Sequence, residues 1–239
     1  MDTGGVVMAS VTSQLGIRIP LPTMPSDIPY RLHSVSVVVT AEFHNPSILN
    51  RDFLVSRGVV PEDWEVAEAI TTPPVSIVSY ANGIRWTVEQ STLRVDENCN
   101  SPFRDTYAVY GLVDAYLEKL PHVPYRSLGL NYVASIRQAN PQQWLTERFL
   151  RRGPWRERGT RLLYMIPNFT VDAGDAVCNL SMSGSQVTYQ DSEPMDSVLV
   201  NCNVHHAGPL DADGLRMAIE NWPEKQSKVV TALDELLNG

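Results

Sequence analysis

The chain has 239 residues, a hydrophobic fraction of 43% and a formal net charge of -8 at pH 7. This is enough apolar material for a core without metals or disulfides, and the acidic balance disfavours nonspecific nucleic-acid binding. Cys99, Cys178 and Cys202 are odd in number and widely spaced, which predicts free thiols in a reducing compartment. The sequence has no run of about 20 apolar residues and no signal-peptide pattern, so we expect a cytoplasmic protein without membrane association.

The N-terminal region, residues 1–32, is small, polar and rich in proline, which predicts an extended arm. Two alternatives stay open for this arm, because it either packs on its own chain or docks on another molecule. A strand is expected from Ser34, with one apolar face formed by Val35, Val37, Val39, Ala41 and Phe43. Residues 47–57 then predict a short helix that ends at Gly58.

A meander and a long helix follow in the middle of the chain. The strands Val75–Tyr80 and Ile84–Glu89 are predicted to form a hairpin through Asn82-Gly83, and Thr92–Glu97 is the third strand. Ser101 is the predicted N-cap of a helix, and its apolar face comprises Val109, Leu112, Val113, Tyr116, Leu117 and Leu120. An alternating strand, Leu128–Ile136, comes next.

The second part of the chain predicts a similar series. A short helix at 141–151 precedes strands at Leu162–Val171, Ala176–Ser183, Val187–Gln190 and Ser197–His206. A helix from Ala212 is expected to be kinked or split at Pro223. The predicted fold class is therefore α+β, a mostly antiparallel sheet with long amphipathic helices packed on it. Residues 33–239 form one domain, and two similar halves, 33–139 and 140–239, are a further hypothesis.

An arginine-rich segment is the most distinctive local composition. It contains Arg148, Arg151, Arg152, Trp155, Arg156, Arg158 and Arg161. Guanidinium groups bind carboxylates and phosphates through paired hydrogen bonds, and Arg and Trp are common at binding hot spots. Three interpretations stay open: a contact surface for a protein partner, which includes another copy of this chain, a nucleic-acid contact, or a solvated link.

Candidate chemical sites carry weaker signals. Cys202, His205 and His206 are a hypothetical metal group, yet His205 points away from the other two on a strand, and no standard zinc spacing is present. Cys178 alternates with Leu180 and Met182, which is typical of a buried thiol. The sequence contains neither a G-x-S-x-G motif nor a glycine-rich phosphate loop. We therefore predict no catalytic residue, no metal and no cofactor.

Three segments resemble part of an uncharacterised bacterial protein family of about this length. They are TPPVSIVSYANGIRW, AYLEKLPHVPY and LGLNYVASI, within residues 72–136. In that family the strand equivalent to Leu128–Ile136 usually has a basic residue near Asn131 and a polar one near Ala134, and this sequence departs at both. The resemblance implies a fold pattern and no functional site.

The leading functional hypothesis is a non-enzymatic interaction or assembly protein that acts as an oligomer or as a subunit of a complex. One alternative is an accessory nucleic-acid-binding protein that uses the arginine-rich segment. Another is an enzyme of unrecognised type that uses Cys178 or the group Cys202, His205 and His206.

Overall fold

A computed structural model describes residues 11–12, 18–19, 30–151, 153, 159, 162–188, 193–208 and 210–238. Two short strands, β1 (Val11–Thr12) and β2 (Arg18–Ile19), pair antiparallel. The other residues of the predicted arm, up to residue 29, lie outside the described residues, so both alternatives for the arm stay predictions.

The remaining elements alternate between strands and short helices. The strands are β3 (Arg31–Ala41), β4 (Val66–Thr71), β5 (Val75–Tyr80), β6 (Ile84–Glu89), β7 (Thr92–Ser101), β8 (Tyr125–Arg137), β9 (Asn168–Asp172), β10 (Val177–Val187) and β11 (Met195–Ala207). The helices are α1 (Arg51–Ser56), α2 (Ala108–Lys119), α3 (Pro141–Phe149), α4 (Ala212–Glu220) and α5 (Trp222–Asn238), with a 3-10 turn at Pro46–Ile48.

One antiparallel sheet of nine strands organises the described residues, in the order β4-β5-β6-β7-β3-β8-β11-β10-β9. The fold is therefore α+β with an antiparallel sheet, as predicted. The helices contain 6 to 17 residues, so the predicted long helices are not confirmed. No helix in the described parts of the chain is long and apolar enough to cross a membrane.

The core lies between one face of this sheet and the helices. Helix α2 packs on β3 and β7, α3 on β10 and β11, and α4 on β8. The predicted alternation in β8 is confirmed, because Leu128, Leu130, Tyr132 and Ala134 are fully buried. Tyr132 accepts or donates a hydrogen bond with Tyr110 of α2 at 2.9 Å between the hydroxyl oxygens.

Helix α2 begins later than the sequence predicts, and its cap comes from another element. Ser101 ends β7, so the prediction that it is the N-cap is wrong. Tyr107 occupies that position without a side-chain cap. Instead Glu97 of β7, which is 8% exposed, accepts a hydrogen bond from the backbone N–H of Val109 at 3.0 Å. A carboxylate there satisfies a helix N–H and complements the helix dipole.

Other predicted boundaries are corrected by the strand pairing. Strand β4 is absent from the predicted elements. Phe43, which is predicted to share the apolar face of the strand from Ser34, lies beyond β3 and is 53% exposed. The predicted strand Leu162–Val171 is strand only from Asn168, since residues 162–167 have no ladder partner. Val187, the first residue of the predicted strand Val187–Gln190, ends β10, and residues 189–190 of that strand lie outside the described residues. The predicted hairpin through Asn82-Gly83 joins β5 and β6, and Gly83 has a left-handed backbone at φ +89°, which favours glycine in such a turn.

Two buried histidines make the stability of the fold depend on pH. Burial lowers the pKa of His44 and of His206 below the ordinary value. The unfolded chain then binds protons more readily than the folded chain below about pH 6.5, so stability falls as the pH drops through that value. We expect the free energy of unfolding, measured with urea, to be lower at pH 5.5 than at pH 7.5. The combined variant His44→Gln and His206→Gln should reduce this difference between the two pH values. An unchanged difference would show that these two histidines are not its source.

Candidate functional site

The sheet face opposite the helices carries an uninterrupted polar row. Strand pairing places one residue from each of the nine strands side by side: Glu68, Ser79, Arg85, Asp96, Ser36, Asn131, Asn203, Asn179 and Thr170. Neighbouring strands are about 4.8 Å apart, so a polar side chain recurs at that spacing along the row. The Ser36 side chain of β3 is itself buried. We call this face the open face.

A cleft of about 480 Å³ lies over the part of the open face formed by β3, β7, β8, β9, β10 and β11. Five asparagines dominate its polar side chains. The polar lining comprises Asn131, Asn168, Asn179, Asn201, Asn203, Ser36, Thr170, Ser181 and Arg94. The cleft therefore presents neutral amides and hydroxyls, most of which can both donate and accept hydrogen bonds.

Hydrogen bonds within the cleft hold several amides in a fixed orientation. Nδ2 of Asn203 donates to Oδ1 of Asn131 at 2.6 Å. The hydroxyl of Thr170 donates to Oδ1 of Asn179 at 2.9 Å, and Nδ2 of Asn168 donates to the backbone carbonyl of Ile166 at 3.0 Å. Each of these bonds uses either the oxygen or the nitrogen of an amide group, so it fixes the direction in which the other atom of that group points.

The glycine on β8 beside this group makes room for it. A Cβ atom at Gly129 would lie 3.0 Å from Nδ2 of Asn203 and 3.6 Å from Nδ2 of Asn131. A larger residue at Gly129 would thus displace the amide that bonds to Asn131. The Gly129 backbone and the hydrogen bond between Asn203 and Asn131 therefore hold these two amides in place.

Charges along the open face cancel in pairs. Arg94 donates from Nε and Nη2 to Asp96, with distances of 2.7–2.9 Å to the carboxylate oxygens. Arg85 donates to Glu68 at 3.0 Å. Together with Arg94, which lies beside the row, the charged residues of the row sum to zero, although the chain carries -8. Arg94 lines the cleft, but its charge is already matched by a carboxylate.

The asparagines are a signal that the sequence reasoning missed. Asparagine is depleted in strands, because its side chain competes for backbone hydrogen bonds in turns. Nevertheless Asn201 and Asn203 occupy alternate positions in β11, which puts both on the open face, and Asn131 and Asn179 face Asn203 from the two adjacent strands. Alternating asparagines within strongly predicted strands could have pointed to this face.

A second polar cluster, the β9–β10 turn clasp, is structural. Lys225 of α5 is 3% exposed and donates to the carbonyl of Ala173 at 3.0 Å and to the carboxylate of Asp175. That hydrogen bond lowers the pKa of Asp175. His206 lies beside the pair, with Nδ1 3.8 Å from Asp175, and its Nε2 is buried without a partner among the described residues. These contacts fasten α5 to the turn.

The hypothetical enzyme and metal groups do not form a reactive site in the described parts of the chain. Burial raises the pKa of the Cys178 thiol to about 11 and that of Cys202 well above its ordinary value, which favours the protonated, unreactive form. His205 lies on the open face, while Cys202 and His206 are buried against the helices. No group of three or more potential metal ligands occurs among the described residues.

Of the seven contact residues predicted in the arginine-rich segment, the structure describes two, Arg148 and Arg151. Arg148 donates from Nε to the carbonyl of Leu236 at 2.8 Å, and its guanidinium lies over Trp144 at 5.5 Å from the ring centre. It thereby links α3 to the end of α5. Arg151 is exposed. The remaining predicted contact residues lie outside the described residues: Arg152, Trp155, Arg156, Arg158 and Arg161.

Comparison with known proteins adds no relative. No protein-family model matches the chain, and no curated protein matches it either.

Proposed function

We propose that this chain is a non-enzymatic interaction protein that recognises its partner with the open face. The observation that carries the proposal is the polar row across nine strands, with the amide-lined cleft over one end of it. Five asparagines in a site where strand propensity disfavours them suggest selection for recognition and not for folding. Fixed side chains lower the entropy lost on binding.

The two alternatives receive less support from the described residues. A nucleic-acid site uses unpaired basic side chains near phosphates, whereas the two arginines of the open face discussed above are matched by carboxylates. An enzyme needs a nucleophile or an acid–base pair within reach of a substrate. Cys178 and Cys202, which were considered for that role, are buried, and burial raises the pKa of both thiols. The arginine-rich segment remains a proposed additional contact.

We also propose that the fold consists of two similar halves. In both, a strand and a short helix precede a meander that returns to pair with the first strand, and a helix follows. Strand β7 returns to β3 in the first half, and β11 returns to β8 in the second. This order supports a boundary after α2, earlier than position 139. The amide-lined cleft then belongs mainly to the second half.

The proposed function is tested with charge placed in the cleft. The combined variant Asn179→Asp and Asn201→Asp keeps the side-chain shapes and adds two carboxylates, and both asparagines are exposed. Because the cleft is neutral, we expect this variant to lose species that co-purify with the tagged wild-type protein. Native mass spectrometry of the purified proteins is the measurement.

A matched control separates recognition from general charge effects. Asn98→Asp adds a carboxylate on the same face, at an exposed position of β7 outside the cleft. This variant should retain every co-purifying species. If the double variant in the cleft also retains them all while its thermal unfolding is unchanged, the open face is not the recognition surface.

A further inference from the structure

We propose that the amide-lined cleft binds an uncharged oligosaccharide. This inference rests on the proposed function, since it assigns a ligand class to the open face. Three properties of the described residues support it. Amide atoms in the cleft are available for hydrogen bonds, the charge of the lining arginine is compensated, and most apolar residues of the lining belong to the helix side of the sheet.

The available atoms match hydroxyl groups. Oδ1 of Asn203 and Nδ2 of Asn179 take no part in the bonds that orient these side chains, and neither atom has another partner among the described residues. One is an acceptor and the other a donor, and they lie on directly paired residues of β11 and β10. A sugar hydroxyl donates and accepts at once, so it satisfies both kinds of atom.

Charge compensation disfavours anionic ligands. Among the described residues that line the cleft, Arg94 is the one with a charge, and its guanidinium makes paired bonds to Asp96. A phosphate or sulfate oxygen only accepts hydrogen bonds, so it could accept from Nδ2 of Asn179 but would repel the acceptor Oδ1 of Asn203 beside it. A neutral ligand avoids that repulsion and needs no counter-charge.

The polarity of the cleft also disfavours an apolar protein segment. Within the described lining, Tyr132, Phe169, Leu180 and Cys202 belong to the helix side of the sheet, and the Phe169 ring packs against Phe149 of α3. Val133 is the apolar residue of this lining that lies on the open face. Protein interfaces centre on apolar or aromatic anchors, which the described lining does not present on that face. The contacts must therefore come from hydrogen bonds along the hydroxyl edges of sugar rings, so we expect affinities in the millimolar to micromolar range.

The test is a calorimetric titration of the full chain with a panel of oligosaccharides. Maltohexaose, cellohexaose and chitohexaose are neutral probes that differ in linkage and in acetamido groups, and a heparin hexasaccharide is the charged comparison. We expect saturable binding of at least one neutral probe and weaker or undetectable binding of heparin. Asn179→Ala and Asn203→Ala should each weaken the neutral probe at least tenfold, and Asn98→Ala should leave it unchanged.

The outcomes separate this inference from the proposed function. Asn179 is exposed, so its variant tests the site even if Asn203→Ala destabilises the protein, which thermal unfolding would reveal. No binding of any neutral probe, or tighter binding of heparin, overturns the oligosaccharide assignment. If no sugar binds but the charged variant of the cleft still loses its co-purifying species, the proposed function stands and the oligosaccharide assignment falls. If that variant also retains these species, both proposals are rejected.

Discussion

Glu97→Ala is expected to lower the free energy of unfolding by about 2–3 kcal/mol, less than the loss of about 3–5 kcal/mol for a fully buried ion pair because the Arg104 side chain is 40% exposed. The carboxylate is largely buried, and one of its oxygens accepts a hydrogen bond from Nη2 of Arg104 at 2.6 Å. The other accepts from the N–H of Val109, so the substitution also removes the helix cap. Urea unfolding monitored by circular dichroism measures the change.

An exposed ion pair on the same sheet provides the control for this prediction. Arg85 donates to Glu68 at 3.0 Å, and their side chains are 46% and 44% exposed. An ion pair with that exposure contributes about 1 kcal/mol or less, so Glu68→Ala should have a small effect. Equal losses for the two variants would mean that Glu97 does not fasten β7 to the start of α2.

Asp175→Ala is expected to destabilise the protein by about 3 kcal/mol, because it leaves the buried ammonium of Lys225 without its carboxylate. The effect lies at the lower end of the usual range, since the Asp175 side chain is 61% exposed and water weakens the pair. Thermal and urea unfolding measure the loss.

A second substitution should restore much of this stability. In the combined variant Asp175→Ala and Lys225→Met the buried charge is gone, and an apolar side chain of similar length fills the space beside Ala173. We therefore expect the double variant to be more stable than Asp175→Ala alone. A double variant that is less stable would show that the buried charge is not the source of the loss.

Local sequence patterns predicted much of the sheet. Alternation identified the buried face of β8, the Asn82-Gly83 pair identified the hairpin, and Pro223 marked the division between α4 and α5. These features depend on a few consecutive residues. The cap of α2 could not be predicted in this way, because Glu97 reaches the helix from a neighbouring strand.

The candidate site was not predicted, for a related reason. Its residues come from six strands, and the register that aligns Asn131, Asn203 and Asn179 follows from pairing between segments far apart in the chain. Each asparagine alone is an ordinary polar residue on the exposed face of a strand. The predicted arginine-rich contact lies mostly outside the described residues, and its role stays a prediction.

The central claim, that the open face is the recognition surface, is tested most directly by site-specific photo-crosslinking. A photoreactive amino acid at Asn201 samples the cleft, and the same group at Arg57, an exposed residue at the end of α1, samples the helix side. In cells that express the protein, we predict that the photoreactive group at Asn201 gives covalent adducts of higher mass. These adducts should disappear when Asn179→Asp is added, and the photoreactive group at Arg57 should not give them. Identical adducts from both positions, or none from Asn201, would contradict the claim.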